Sequence, residues 1–149
     1  MTYASQADIT ARFGVEELQQ LTDRELPLLG EIDAVVLARA LNDSDGVIDS
    51  HLGARYQVPL AATYPAEVVR IACDIARYFL HALAAPEPVR VHYDDALKWL
   101  RRVADGKLPL IDASGAIVSA KASAFGPSAV APYSSGAMFG EAFAAAWQP

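Results

Sequence analysis

The chain has 149 residues, of which 53% are hydrophobic and 20% are charged. This length and composition suit one globular domain and exclude a disordered or fibrous chain. Twelve basic and eighteen acidic side chains give a formal net charge of −6, which argues against tight nucleic-acid binding by phosphate neutralisation. One cysteine, Cys73, cannot form an internal disulfide, and no apolar run is long enough for a membrane span, so we expect manufacture in the cytoplasm.

Two short helices are predicted at the start of the chain. Ser5 and Asp8 form a capping-box pattern, in which each side chain can bond the backbone N–H of the other. Gly14 is placed to end this first helix. Apolar residues at three-residue spacing then predict a second short helix over residues 15–21.

A third helix is predicted over residues 33–52, with Gly53 as its stop. Inside it, the run NDSDG at 42–46 is similar to part of a calcium loop. An EF-hand would need an oxygen ligand where Leu41 stands and a glutamate where Leu52 stands, so no calcium site is predicted. Gly46 is interpreted instead as a kink or a close approach between helices.

Two further helices complete the predicted core. A broad apolar stripe that begins with Pro65 as a first helical residue marks the central helix, which Pro86 and Pro88 are expected to end. A fifth helix is predicted from about residue 89 to 105, with Gly106 as its stop. These patterns predict an all-α fold, a compact bundle of about four to five helices over residues 1–107.

The last part of the chain has a different composition. Residues 111–149 carry only three charged side chains, and 25 of these 39 residues are Ala, Ser, Gly or Pro. We therefore predict an extended C-terminal arm over residues 108–149, with a small hairpin at the turn of residues 112–115 and one or two helical turns at 139–147. The side chains expected to anchor this arm on a partner are Phe125, Tyr133, Met138, Phe139, Phe143 and Trp147.

No pattern typical of catalysis or metal binding occurs. The three histidines share no metal-ligand spacing with each other or with Cys73, which is interpreted as a small buried hydrophobe, and His81 is expected to be partly buried. Asp94 and Asp95 point about 100° apart on a helix and cannot share a proton across a substrate. The sequence predicts no enzyme activity, no catalytic residue, no metal and no cofactor.

Arg101 and Arg102, with Lys98 and Lys107 nearby, form the one basic cluster of the sequence. Cations at the carboxyl end of a helix are partly explained by the helix dipole. The alternative interpretation is a docking patch for an acidic partner, and both remain open at this point.

Five sequence words, in this order and spacing, resemble a family of small proteins encoded in Mu-like prophages and related tailed phages, after the major capsid gene. The resemblance covers residues 3–107, and its words are YASQAD with RFG (3–14), ELQQLTDR (17–24), RY with PL (55–60), ACDIARY (72–78) and YDDALKWL (93–100). No single word is specific, but their combination is. The match is weaker in the tail, where only Tyr133-Ser134-Ser135 with Met138 resembles an aromatic-Ser motif.

The resemblance implies a head-to-tail adaptor, a structural protein of the virion neck. Such subunits form a ring, usually a dodecamer, beneath the portal protein, and pass the channel on to the next neck protein, a stopper or tail terminator. The implied partners are the portal, neighbouring copies and that next protein, while DNA passes through the lumen without specific binding. An acidic ring agrees with this role because it would repel DNA.

The resemblance also marks candidate contacts with a ring neighbour at Arg55, Tyr56, Pro59, Arg101 and Arg102, although the first three also fit an ordinary loop between helices. Another neck component, such as a stopper, head-closure or tail-completion protein, fits the same resemblance. A small helical regulator that binds DNA or protein is a more distant alternative, and only the Arg101-Arg102 pair supports it.

Overall fold

The computed structural model describes residues 2–25, 28, 30–61, 65–81 and 84–121. In these residues the chain forms five helices and no β-strand: α1 (Gln6–Phe13), α2 (Val15–Thr22), α3 (Ala34–Leu52), α4 (Ala66–Leu80) and α5 (Glu87–Ala104). The predicted all-α bundle is therefore confirmed. None of the described helices is long and apolar enough to cross a bilayer.

Helix α1 begins and ends where the sequence predicts. The Ser5 hydroxyl accepts a hydrogen bond from the N–H of Asp8 at 3.2 Å, and the Asp8 carboxylate accepts one from the N–H of Ser5 at 2.8 Å. These two bonds satisfy donors that a helix start leaves unpaired. Gly14, at a φ of 86° that favours glycine, ends α1 and allows α2 to begin at the next residue.

Helix α3 is unbroken along its whole length. The Asp33 carboxylate caps its start by accepting from the N–H of Val35 at 2.8 Å and of Val36 at 3.1 Å. A Cβ placed on Gly46 would meet no atom within 4 Å. The predicted close helix approach at Gly46 is therefore wrong, since this residue faces open space.

Helices α4 and α5 differ from the predicted bounds at their shared connection. Pro65 caps α4 from one position before the helix, and α4 already ends at Leu80. Helix α5 begins at Glu87, so Pro88 lies in its first turn and is not a terminator of α4. A proline is tolerated there because the first N–H groups of a helix have no partner within the helix.

Helix α4 runs antiparallel to both α3 and α5. The rings of Tyr78, late in α4, and Tyr93, early in α5, stack with centroids 4.0 Å apart. Near the end of α4, the guanidinium of Arg24 donates to the carbonyl of Leu80. The neighbouring Thr22 hydroxyl accepts from the N–H just before α3, so α3 begins where α4 ends. The start of α4 and the ends of α3 and α5 consequently share the opposite end of the bundle.

The core is centred on α4. Its six residues 71–76 are all buried, and burial raises the pKa of the Cys73 thiol to about 11. Cys73 is thus the small buried hydrophobe that the sequence predicts. Leu110 also packs in the core, so the first residues beyond 107 belong to the packed unit.

The N-terminal segment is held on the bundle by Tyr3. Its hydroxyl donates to the Asp49 carboxylate and accepts from the N–H of Leu60 at 3.0 Å, while its own N–H donates to Asp45 at 3.0 Å. Burial raises the pKa of Tyr3 and also that of Asp45. The acidic run that looked like a failed calcium loop therefore anchors the start of the chain.

Candidate functional site

Five exposed cations of the described chain lie at the end of the bundle where α3 and α5 finish. We call this surface the basic end; it comprises the α3–α4 loop, the last turn of α5 and residues 105–121, and its cations are Arg55, Arg101, Arg102, Lys107 and Lys121. Only two carboxylates, Asp105 and Asp112, lie on the same segments. The basic end carries a formal charge of +3 on a chain whose net charge is −6.

Contacts of Arg55 hold the three segments together. Its guanidinium packs directly on Gly106, where a Cβ would overlap it. Gly106 has a φ of 75°, which glycine adopts without strain. The backbone carbonyl of Arg55 accepts a hydrogen bond from the N–H of Lys121 at 2.8 Å. The loop after α3 is thus fixed between the end of α5 and the start of the C-terminal segment.

Arg101 and Arg102 present two unpaired charges on this surface. The carbonyl of Arg101 accepts from the N–H of Asp105 at 2.8 Å, and that of Arg102 from the N–H of Lys107 at 2.9 Å, so main-chain groups already cap α5. Neither guanidinium forms an ion pair within the described part of the chain, whereas Lys107 pairs with Asp105 at 2.9 Å. Their charges therefore remain available to a partner.

Lys98, which the sequence placed in the same cluster, lies elsewhere. It pairs with Asp95 at 2.9 Å on the exposed flank of α5. The neighbouring Asp94 is exposed on the same helix. These residues form an exposed polar face of α5.

A tight turn adds apolar surface to the basic end. Ile111 and Ile117 form a single antiparallel bridge, and the Asp112 carboxylate accepts from the hydroxyl and the N–H of Ser114 at 2.6 and 2.8 Å. The hydrogen bonds from Ser114 lower the pKa of Asp112. This turn is the small hairpin expected from the sequence, reduced to one bridge.

The same turn leaves two isoleucines in solvent. Ile111 is 46% exposed and Ile117 is 69% exposed. Ile117 also lines a groove of about 250 Å³ between the turn and the residues before α4, together with Leu60, Ala61, Pro65, Asp112, Val118 and Ser119. Apolar side chains surrounded by charged ones are typical of a protein–protein contact surface.

Four of the five residues expected to touch a ring neighbour lie exposed on this surface, namely Arg55, Pro59, Arg101 and Arg102. Tyr56 does not, because its side chain is only 2% exposed and packs in the core. Sequence reasoning missed Ile111, Ile117 and Lys121, since nothing local shows that the C-terminal segment folds back beside the α3–α4 loop.

The arm residues Phe125, Tyr133, Met138, Phe139, Phe143 and Trp147, and the helical turns predicted at 139–147, lie outside the described residues. The division of the chain at residue 107 and the anchoring role of these side chains stay predictions.

The titratable groups within the described ranges form no cluster of three metal-ligating side chains. His81 is partly buried, as predicted, and its Nε2 has no hydrogen-bond partner in the described part of the chain; this atom lies 3.9 Å from the Glu17 carboxylate. Burial lowers the pKa of His81. Asp74, inside α4, pairs with Arg70 at 3.0 Å, and burial raises its pKa. Each of these groups is explained by packing, so the basic end is the best candidate for function.

Comparison with known proteins gives a match over most of the chain. A family model described as Bacteriophage Mu, Gp36 matches residues 3–125, which include all five helices and the whole basic end. The Mu-like prophage FluMu protein gp36 of Haemophilus influenzae is 37% identical over 108 residues, 72% of this chain and 74% of that protein. Gene product J of Escherichia phage Mu is 35% identical over 107 residues, again 72% and 74%.

Proposed function

Because this chain belongs to the Bacteriophage Mu Gp36 family, we propose that it is a structural protein of the virion and not an enzyme. More specifically, it is a head-to-tail adaptor subunit. Copies of it form a ring beneath the portal protein, conduct DNA through the lumen and dock the next neck protein.

The basic end is the observation that supports this proposal. It brings together two exposed isoleucines and two arginines that form no ion pair among the described residues, which suits association with another protein surface. The negative charge of the whole chain suits a conduit through which DNA slides without being held.

Counting copies in purified phage particles tests the proposal. We expect quantitative mass spectrometry to find about one copy of this chain for each portal subunit, as for a ring that matches the portal in symmetry. A ratio near one half would assign the chain to a stopper or terminator further down the neck. Absence from the particle would refute the structural role.

The C-terminal arm supplies a second test. Replacing Phe143 and Trp147 by Ala removes two large aromatic anchors, and we expect it to block the joining of heads to tails while the helical content stays unchanged. The matched control is Val91→Ala, which truncates an exposed apolar residue on the flank of α5. Normal joining with the doubly substituted chain would refute a docking role for the arm.

The regulator alternative depends on the unpaired Arg101 and Arg102 as a DNA-binding pair. If they bind DNA, a duplex should retain the protein at low salt and release it as salt rises. We expect no retention, because the excess of carboxylates on the rest of the chain repels phosphate.

A further inference from the structure

The end of the bundle opposite the basic end has the opposite charge. We call the acidic end the surface formed by α2, residues 23–25, 28 and 30–33 and the first turn of α3; its carboxylates are Glu16, Glu17, Asp23, Glu25, Glu31 and Asp33. Arg24 is the one basic residue of these segments, so six negative charges face one positive charge. These segments therefore carry a formal charge of −5, and Arg77 from the end of α4, which pairs with Glu17, brings the acidic end to −4.

Several of these carboxylates are committed to the fold, and several are free. Glu17 pairs with Arg77 at 2.6 Å, Asp33 caps α3, and Asp23 accepts from the N–H of Gly30 at 2.7 Å. Glu16, Glu25 and Glu31 are exposed and have no ion pair among the described residues. The acidic end thus offers unpaired negative charges, as the basic end offers unpaired positive ones.

Exposed apolar side chains concentrate at the same two ends. Six large hydrophobic residues of the described chain are 44% exposed or more. Three of them, Val15, Leu28 and Val35, lie at the acidic end, and Ile111 and Ile117 lie at the basic end; only Val91 is on the flank. Each end therefore combines apolar side chains, which can form the core of an interface, with charged side chains, which can form its rim.

The two ends lie too far apart to meet within one subunit. Helix α3 connects them, and its 19 residues span roughly 28 Å. Two acidic ends or two basic ends placed together would repel, which disfavours a symmetric face-to-face dimer. A contact between unlike ends is heterologous. It produces a closed ring when the rotation that relates successive copies adds up to one full turn.

We propose that copies of this protein associate end to end, with the acidic end of one subunit docked on the basic end of the next. In this contact Glu25 and Glu31 face Arg101 and Arg102, while Val35 and Leu28 cover Ile111 and Ile117. The proposal names the neighbour contact of the proposed ring and rests on that function only in taking the assembly to be a ring.

Disulfide trapping tests this contact directly. The natural thiol of Cys73 is fully buried with a raised pKa, so cysteines introduced on the surface are the reactive ones. We would prepare Glu31→Cys and Arg102→Cys variants separately and oxidise each alone and both mixed at low salt. The mixture is expected to give about tenfold more cross-linked dimer than either variant alone, because like ends repel. Salt of about 1 M, which shortens the screening length to about 3 Å, is expected to remove the difference.

The matched control is Asp94→Cys, at an exposed position near the middle of α5. Its mixture with Glu31→Cys should give no such excess. An equal yield from this control, a predominance of like-with-like dimers, or no cross-link in the mixture would overturn the proposal.

Charge reversal supplies an independent arm of the test. Arg101→Glu with Arg102→Glu should abolish the association of the otherwise natural chain measured by sedimentation at low salt, and adding Glu25→Lys with Glu31→Lys should restore it. Failure of the compensating pair to restore it would overturn the proposal. If the reversed basic end instead lost binding to a DNA duplex that the natural chain binds, the surface would be a nucleic-acid site and the contact would be wrong. The copy count in particles is a separate measurement, so this contact and the adaptor role can fail independently.

Discussion

Replacing glycine by alanine should have opposite effects at Gly46 and at Gly106. Gly46 lies inside α3 with open space around it, so a methyl group meets nothing and the residue gains helix propensity. Alanine is favoured over glycine by about 1 kcal/mol in a helix interior. We therefore expect Gly46→Ala to raise the free energy of unfolding by about 1 kcal/mol and the Tm by a few degrees.

At Gly106 the same methyl group is unfavourable for two reasons. A φ of 75° costs an L-residue about 1–2 kcal/mol, and the added Cβ must displace the Arg55 guanidinium. We expect Gly106→Ala to lower the free energy of unfolding by at least about 1–2 kcal/mol. Gly115→Ala, at a φ of 87° with open space, is the control that carries the backbone cost alone.

Urea unfolding followed by circular dichroism measures all three variants against the natural chain. The two substitutions should thus differ by about 2–3 kcal/mol, well outside the error of the method. If Gly46→Ala were destabilising, α3 would need glycine for a close approach or a kink, and Gly46 would not face open space. If Gly106→Ala were neutral, the contact between Arg55 and Gly106 would not fix the loop.

Three further predictions concern the core. Tyr3→Phe leaves the N–H of Leu60 without its buried acceptor and should lower the free energy of unfolding, measured by urea titration, by about 1–3 kcal/mol. The control is Tyr93→Phe, which should change this free energy little, because the Tyr93 hydroxyl has no hydrogen-bond partner in the described residues. Burial lowers the pKa of His81, so this imidazole binds a proton more readily in the unfolded chain than in the folded one. The free energy of unfolding should therefore fall as the pH drops below about 6.5. Thermal melts of His81→Gln should show a weaker dependence of Tm on pH over this range. Leu100→Ala empties a fully buried position and should lower the free energy of unfolding by about 2–5 kcal/mol, and a loss under 1 kcal/mol would contradict its packing.

Helix ends that depend on neighbouring residues could be predicted from the sequence. The Ser5 and Asp8 capping box and the stop at Gly14 depend on residues close together in the chain, and all lie where the sequence placed them. The start of α5 was misplaced because Pro86 and Pro88 can end one helix or begin another with equal ease.

The candidate surface could be predicted only in part. Arg101 and Arg102 stand out as a pair in the sequence, but the contact of Arg55 with Gly106 joins residues 51 positions apart. Tyr56 was expected to be a surface residue because it follows a helix in a loop, yet its ring completes the core. The opposition of an acidic and a basic end depends on the antiparallel order of the helices, which no stretch of sequence displays.

The anchor at Tyr3 determines when the chain can finish folding. Its hydroxyl bonds the N–H of Leu60, 57 residues later, whereas α3 packs on α4 and α4 packs on α5, the next helix in the sequence each time. On the ribosome, Tyr3 emerges before Leu60 and has no docking surface until α3 and the loop after it have also emerged. The segment around Tyr3 therefore settles after helices that are synthesised later, and a bulky group fused next to this segment would hinder that final step more than the formation of the helices.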